Sequence, residues 1–317
     1  MELESRRTVT NDQEMVQNFR VAGKAILTGE HSVLRGVRAI VLPVHEKFLE
    51  LTYQDNGEPL QVRVEGTDER ESEFVLRGVV EKAAELAGHG RGELTGTLCM
   101  KNNLSVGVGL GASAALCVAV GRLVSQQGWV KESDLFHFCR ELENIFHGES
   151  SGVDIAVVLK NEPIVYQREQ GPEPMNLSWT PKLAISYCGQ RGVTSECVRK
   201  VKDWISTNEL RGKETDKKME RASELAILAL AKPEKDGILD LVEAIQLARE
   251  CFDRWDLTAG KLEDHIEKVL KLGALAVKPT GSGGGGHALS LWRNLPKSDI
   301  FTSIFPRESS ASKLATI

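Results

Sequence analysis

Residues 107–124 read GVGLGASAALCVAVGRLV: three glycines at alternate positions, then a run of small apolar residues. Glycine inside a helix or strand costs about 0.5–1 kcal/mol per residue, so the pattern predicts a loop over 107–111. It predicts a helix over 111–127, ending near Gly128. That helix has no polar stripe and has to be buried, so the rest of the fold must cover it. The uncharged stretch from Leu104 to Gly121 approaches a membrane span in length. The glycines of its first part, with Ser105 and Ser113, favour a loop followed by a buried helix.

The surrounding pattern is mixed. Residues 19–36 begin strand-like and break at glycines, and 38–53 read as extended chain with Pro43 marking an edge or a break. Residues 60–65 alternate with period two, 71–88 have helical spacing and 93–100 suggest a strand. Ser133 is placed to cap a helix that runs to Asn144. HGESSGVD (147–154) is turn-rich, and 155–167 suggest a hairpin around Asn161 and Glu162. The polar stretch 168–181 carries three prolines and suggests a domain boundary. The expected domains are 1–181 and 182–317, in keeping with a chain of 317 residues, longer than one ordinary core. The second half opens with a strand at 182–187, continues with helical patterns at 195–206, 214–231, 238–255 and 259–272, and returns to a strand at 287–292. The fold class expected is α+β. The tail 307–317 has no pattern that predicts structure.

Charge and cysteine usage exclude some functions. The net charge of −5 offers no basic face, so nucleic acid is not an expected partner. Six cysteines form no Cys-x-x-Cys pair, which fits reduced thiols. The N-terminus lacks an apolar signal segment, and a cytoplasmic protein without membrane association is expected.

Two glycine-rich loops, 107–111 and 281–286, suggest phosphate binding. Exposed amides and a following helix N-terminus favour an anion. Gly107-x-Gly109-x-x-Ala112 also matches a relaxed dinucleotide fingerprint, but a polar turn precedes it where a strand is needed. No Walker-type P-loop is present. Candidate chemical groups are Lys24, Glu30, His31, Ser113, Glu143, His147 and Asp154. Taken singly, most have plain structural explanations: surface charges, turn histidines, a helix-capping serine. Asp154 is different, because an acid leading into IAVVL is partly buried and needs a partner. Lys24, in its own apolar stretch, is the natural one. Together these groups suit phosphoryl transfer, which needs a phosphate cradle, a divalent cation, a nearby positive charge and a carboxylate. The rival readings are a nicotinamide-dependent oxidoreductase and a non-catalytic nucleotide-binding protein.

Four stretches taken in order, GKAILTGEHSVLRGVRAIVLPV, GVGLGASAAL, ENIFHGESSGVDIAV and KPTGSGGGGHALSL, resemble the GHMP kinase superfamily, most closely its mevalonate kinase family. The resemblance implies a ribosomal protein S5 domain 2-like N-terminal domain and a ferredoxin-like C-terminal domain. It implies ATP- and Mg2+-dependent phosphorylation of the primary hydroxyl of mevalonate, or of another small molecule such as phosphomevalonate or a sugar. By position, Asp154 and Lys24 would be catalytic, and Ser113 and Glu143 would hold magnesium. Asn103, Gly107, Gly109, Leu110, Gly111, Ala112 and Ser113 would bind the nucleotide. Glu30, His31, His147, Ser151, Thr194, Gly283 and Gly284 would face the acceptor. The superfamily includes monomers and homodimers, and either is expected. The chain departs from the family pattern at Ser105 and Val106 (usually prolines), Ala112 (often serine), Glu149 and Ser150 (usually Asn-Pro) and His287 (often cysteine). Glu149 adds negative charge near a site meant for a carboxylate, so it bears on acceptor choice.

Overall fold

Strand β1 (Val16–Thr28) becomes almost wholly buried along its second half. The computed structural model describes residues 16–65, 69–104, 107–148 and 150–305; Ser105, Val106, Glu149 and the tail lie outside them. The chain packs as two compact units that are not continuous in sequence. One unit contains residues up to 21, 48–104 and 113–150, and the other contains 22–47, 105–112 and 151 onward. These cuts differ from the expected boundary after residue 181, because β1 and β2 (Ala39–Pro59) each run through both units.

In the first unit, β2 pairs antiparallel with β4 (Thr95–Asn102), and β3 (Gln61–Glu65) pairs parallel with β4. Helix α1 (Glu69–Leu86) packs on β3 and on α3 (Leu135–His147). Between β4 and α3 comes α2 (Ala112–Gln126), buried along most of its length as its composition requires. Gly121 of α2 lets α3 approach closely: a Cβ there would lie 2.4 Å from the Cys139 sulfur. Ser133 does not cap α3. It sits in a 3-10 turn, Glu132–Asp134, with its hydroxyl on Asp134.

In the second unit, β2 pairs with β5 (Ile164–Gln167), and β5 pairs with β6 (Gly171–Pro174), both antiparallel. The expected proline linker therefore contains a short strand. β2 continues through Pro43, which lies outside the register shared with β5 and the one shared with β4; proline has no N–H to donate to a ladder. The expected hairpin at 155–167 is half wrong. Residues Val153–Lys160 form helix α4, stopped by Asn161 in a left-handed conformation. A short apolar run reads equally as a buried strand or a buried helix, and Gly152 with positive φ before it turns the chain into a helix.

The remainder of that unit is an antiparallel sheet of four strands in the order β10–β7–β9–β8: Thr302–Ser303, Lys182–Tyr187, His287–Trp292 and Ala276–Thr280. Helices α5 (Thr194–Thr207), α6 (Glu209–Ala231), α7 (Glu234–Arg254) and α8 (Lys261–Lys271) accompany it. α6 packs along α7, α7 against β8, and α8 against β8 and β9. Met219, Ala222, Ala248, Phe252 and Trp255 fill one core cluster, and Leu262, Ile266, Val269 and Trp292 fill another. Among the described residues no helix is long and apolar enough to cross a membrane. The six cysteines are free thiols.

Candidate active site

In the second unit, Lys24 near the end of β1 is almost fully buried, and its ammonium lies 3.0 Å from Asp154 Oδ2. Asp154 stands in the first turn of α4, not on a strand, where the helix N-terminus favours a carboxylate. Its other oxygen, Oδ1, is buried and has no hydrogen-bond partner. The Lys24 amide donates to the Leu110 carbonyl at 3.0 Å, tying β1 to the glycine loop. Gly111 is required directly beneath the lysine: a Cβ there would meet Lys24 Cγ at 2.8 Å.

The two glycine loops pack on each other. A Cβ on Gly109, whose φ is +86°, would meet the Thr280 carbonyl oxygen at 2.7 Å. One on Gly281 would meet Gly109 Cα at 2.8 Å. His287 Nδ1 donates to the Val108 carbonyl at 3.0 Å, and Gly192 N–H to the Gly107 carbonyl at 3.1 Å. Part of the glycine content thus serves close backbone packing rather than ligand approach. Gly107 is the exception, with only a carbonyl oxygen at 3.7 Å near the position of its missing side chain.

Glu30 and His31 follow β1. Glu30 is buried against Lys278 of β8, whose ammonium contacts Oε1. Glu30 Oε2 has no hydrogen-bond partner. Burial raises the Glu30 carboxyl and lowers the Lys278 ammonium, each opposed by the charge of the other. His31 adopts the left-handed conformation, φ 59°. Its Nε2 donates to the Ser282 carbonyl at 2.9 Å, and its ring meets Phe252 and Trp255 edge-on. Burial lowers its pKa to about 4, so the ring is neutral at pH 7. Thr194 opens α5 and accepts from the Ser282 hydroxyl at 3.4 Å. Gly283 and Gly284 are drawn into packing: the Gly283 carbonyl accepts from Cys197 Sγ, and Gly284 N–H donates to the Leu257 carbonyl. Ser151 accepts from the Val153 amide at 3.3 Å, and its carbonyl accepts from the Tyr166 hydroxyl at 2.7 Å.

In the first unit, Ser113 lies in the first turn of α2 and donates to Glu143 Oε1 at 3.3 Å. Ser150 donates to Glu143 Oε2 at 2.5 Å. Glu143 is buried. A carboxylate with hydroxyl oxygens is the hard donor set that magnesium accepts, and the residues present fit that ion. Asn103 accepts from the Phe48 amide at 2.6 Å, which anchors the end of β4 to β2. Ala112 begins α2. His147 ends α3; its side chain lies outside the described structure.

The structure thus joins Lys24 with Asp154, Ser113 with Glu143, and Thr194 with His31 through Ser282. Sequence reasoning passed over Lys278, Ser150 and Ser282. For Lys278 a signal existed: it is the one charged residue between Leu275 and Thr280, the kind of placement that demands a partner. Ser150 follows Glu143 closely enough in sequence to have been weighed beside it.

Residues 74–162 match the family model described as "GHMP kinases N terminal domain". The chain is 25% identical over 285 residues to a mevalonate kinase of Aeropyrum pernix, covering 86% of this chain and 87% of the relative. Among solved structures, that of L. major mevalonate kinase in complex with R-mevalonate is similar with a TM-score of 0.76 and 22% identity, covering 92% of this chain and 90% of the other. Streptococcus pneumoniae phosphomevalonate kinase, in complex with phosphomevalonate and AMPPNP, is similar with a TM-score of 0.69 and 14% identity, covering 88% and 92%.

Proposed function

We propose that this chain, whose residues 74–162 match the GHMP kinase N-terminal model and whose fold is similar to that of a mevalonate kinase structure, transfers the γ-phosphoryl group of ATP to the primary hydroxyl of mevalonate. The observation that carries the reading is the Lys24–Asp154 pair. One carboxylate oxygen is held by the ammonium at 3.0 Å, and the other is buried without a partner. A buried acceptor with no donor is costly unless a ligand supplies one, and an acceptor hydroxyl does so.

In this scheme Asp154 Oδ1 receives the hydrogen bond of the hydroxyl and orients or deprotonates it. Lys24 holds Asp154 by Oδ2 and lowers the cost of negative charge on the attacking oxygen. In this scheme the amides of 107–111 cradle the phosphates, with Leu110 and Ala112 beside them. Ser113 and Glu143 hold magnesium, which when bound offsets charge on the phosphates, and Ser150 fixes the Glu143 carboxylate. In this scheme Glu30, His31, Ser151, Thr194, Gly283 and Gly284 face the acceptor, where neutral His31 and the Thr194 hydroxyl supply hydrogen bonds.

ADP release with magnesium-ATP and a panel of mevalonate, phosphomevalonate, galactose and homoserine tests this. Turnover with mevalonate alone is expected. Turnover with a different member keeps phosphoryl transfer and replaces the substrate. Silence across the panel together with no ATP binding defeats the kinase reading.

A further inference from the structure

Lys278 and Glu30 form an ion pair with side chains 0% and 1% exposed. Burying two charges is costly, and well-packed apolar residues in the same space are often as stable or more so. Stability is therefore a weak reason for such a pair. Its geometry suggests another. Lys278 lies in the middle of β8, its ammonium on Glu30 Oε1 and 3.3 Å from the Ile26 carbonyl. Two residues further, the Thr280 hydroxyl accepts from the Ile26 amide at 2.8 Å and bonds its carbonyl at 3.0 Å. Lys278 and Thr280 thus lock β8 to the end of β1, and the lysine fixes where the glutamate sits.

What the pair leaves over is Glu30 Oε2, buried and without a partner. Asp154 Oδ1 is in the same condition. Lys24 links the two, bonding Asp154 directly and lying near enough for its charge to act on Glu30. Two unpartnered carboxylate oxygens in the same compact unit suit a ligand that brings more than one hydroxyl donor.

We propose that Lys278 is a positioning residue that acts through Glu30, holding the carboxylate by Oε1 so that Oε2 accepts a hydrogen bond from a second hydroxyl of the acceptor substrate. The inference rests on the kinase reading and concerns the hydroxyl that is not phosphorylated. Without the ammonium the carboxylate loses the group that holds it in place.

The test separates positioning from stability. Lys278→Met leaves a buried carboxylate unpaired and should lower Tm. The double variant Glu30→Gln/Lys278→Met removes both charges and should restore Tm to within a few degrees. Its KM for mevalonate should nevertheless rise about 10- to 100-fold, the loss expected when a hydrogen bond to a charged group is removed. Its KM for ATP should stay within about twofold, since the phosphate side is untouched. Lys278→Arg, which retains the charge, should recover part of the mevalonate affinity. A double variant with restored Tm and an unchanged KM for mevalonate overturns the proposal and leaves the pair a structural tie. If the double variant does not fold, Glu30→Gln alone decides, because its amide oxygen still accepts from Lys278; an unchanged KM for mevalonate there also overturns it. Absence of turnover by the unaltered protein across the substrate panel, together with absence of ATP binding, is a distinct result, which removes the kinase reading and this inference with it.

Discussion

Lys24–Asp154 and Lys278–Glu30 are both lysine–carboxylate pairs in the same compact unit, yet their surroundings differ. Lys278–Glu30 is sealed, whereas Asp154 retains 25% of its side-chain exposure. Each pair leaves one carboxylate oxygen without a partner. The sealed pair is costly to break, because a lone charge is left in a poorly solvated interior. The open pair can exchange partners, which is what a group that meets a reacting hydroxyl must do. Burial is what separates the pair proposed to position from the pair proposed to react, although both use the same two chemical groups.

The largest effect should come from breaking the sealed pair. Lys278→Met should lower unfolding free energy by about 3–5 kcal/mol, measured by urea denaturation. A loss below about 1 kcal/mol would mean that water or rearrangement compensates Glu30, and the contrast between the pairs would lose its basis. Asp154→Asn keeps the side-chain shape and should change stability by only about 1 kcal/mol. It should nevertheless lower kcat at least ~100-fold, or about 2.7 kcal/mol of barrier. Near-normal turnover would remove Asp154 from the reaction.

A smaller effect concerns pH. His31 adjoins Glu30, and burial lowers its pKa from 6.5 to about 4, with the nearby Lys278 charge acting in the same direction. The folded protein therefore resists protonation that the unfolded chain accepts. The stability associated with the neutral ring is complete above pH 6.5 and is lost as pH falls towards 4. His287 is lowered to about 4 as well, mainly by burial. The urea midpoint should fall between pH 6.5 and 4, and His31→Asn, which tolerates the left-handed backbone, should make that fall shallower. An unchanged slope would mean that His31 is not the group that titrates.

Much of this unit was legible in advance. Lys24 and Asp154 each sit in an apolar stretch, and buried opposite charges seek each other. The four helical patterns of the second half were readable from their period, and α5 to α8 occupy those regions. The element carrying Asp154 was not, since IAVVL has no period long enough to separate a strand from a helix. The glycines carried an ambiguity of another kind. Alternation predicts bare backbone, but the chain alone does not say what approaches it. At Gly109 the neighbour is another loop, and at Gly111 it is Lys24. What the local signal at Lys278 does not give is its partner, which lies 248 residues away; no local pattern encodes a contact at that distance.

By itself the sequence determined the apolar helix α2, the glycine loop before it and the presence of charges that needed partners. These follow from local propensity and from the cost of burying a charge, both of which are written into neighbouring residues. The tertiary structure decided which carboxylate each lysine meets, how deeply each pair is buried, and which oxygens are left to receive a ligand. Those outcomes depend on the Lys278 and Thr280 side chains of β8 reaching the Ile26 backbone of β1 and on Lys24 meeting α4, and only the packed chain brings them there.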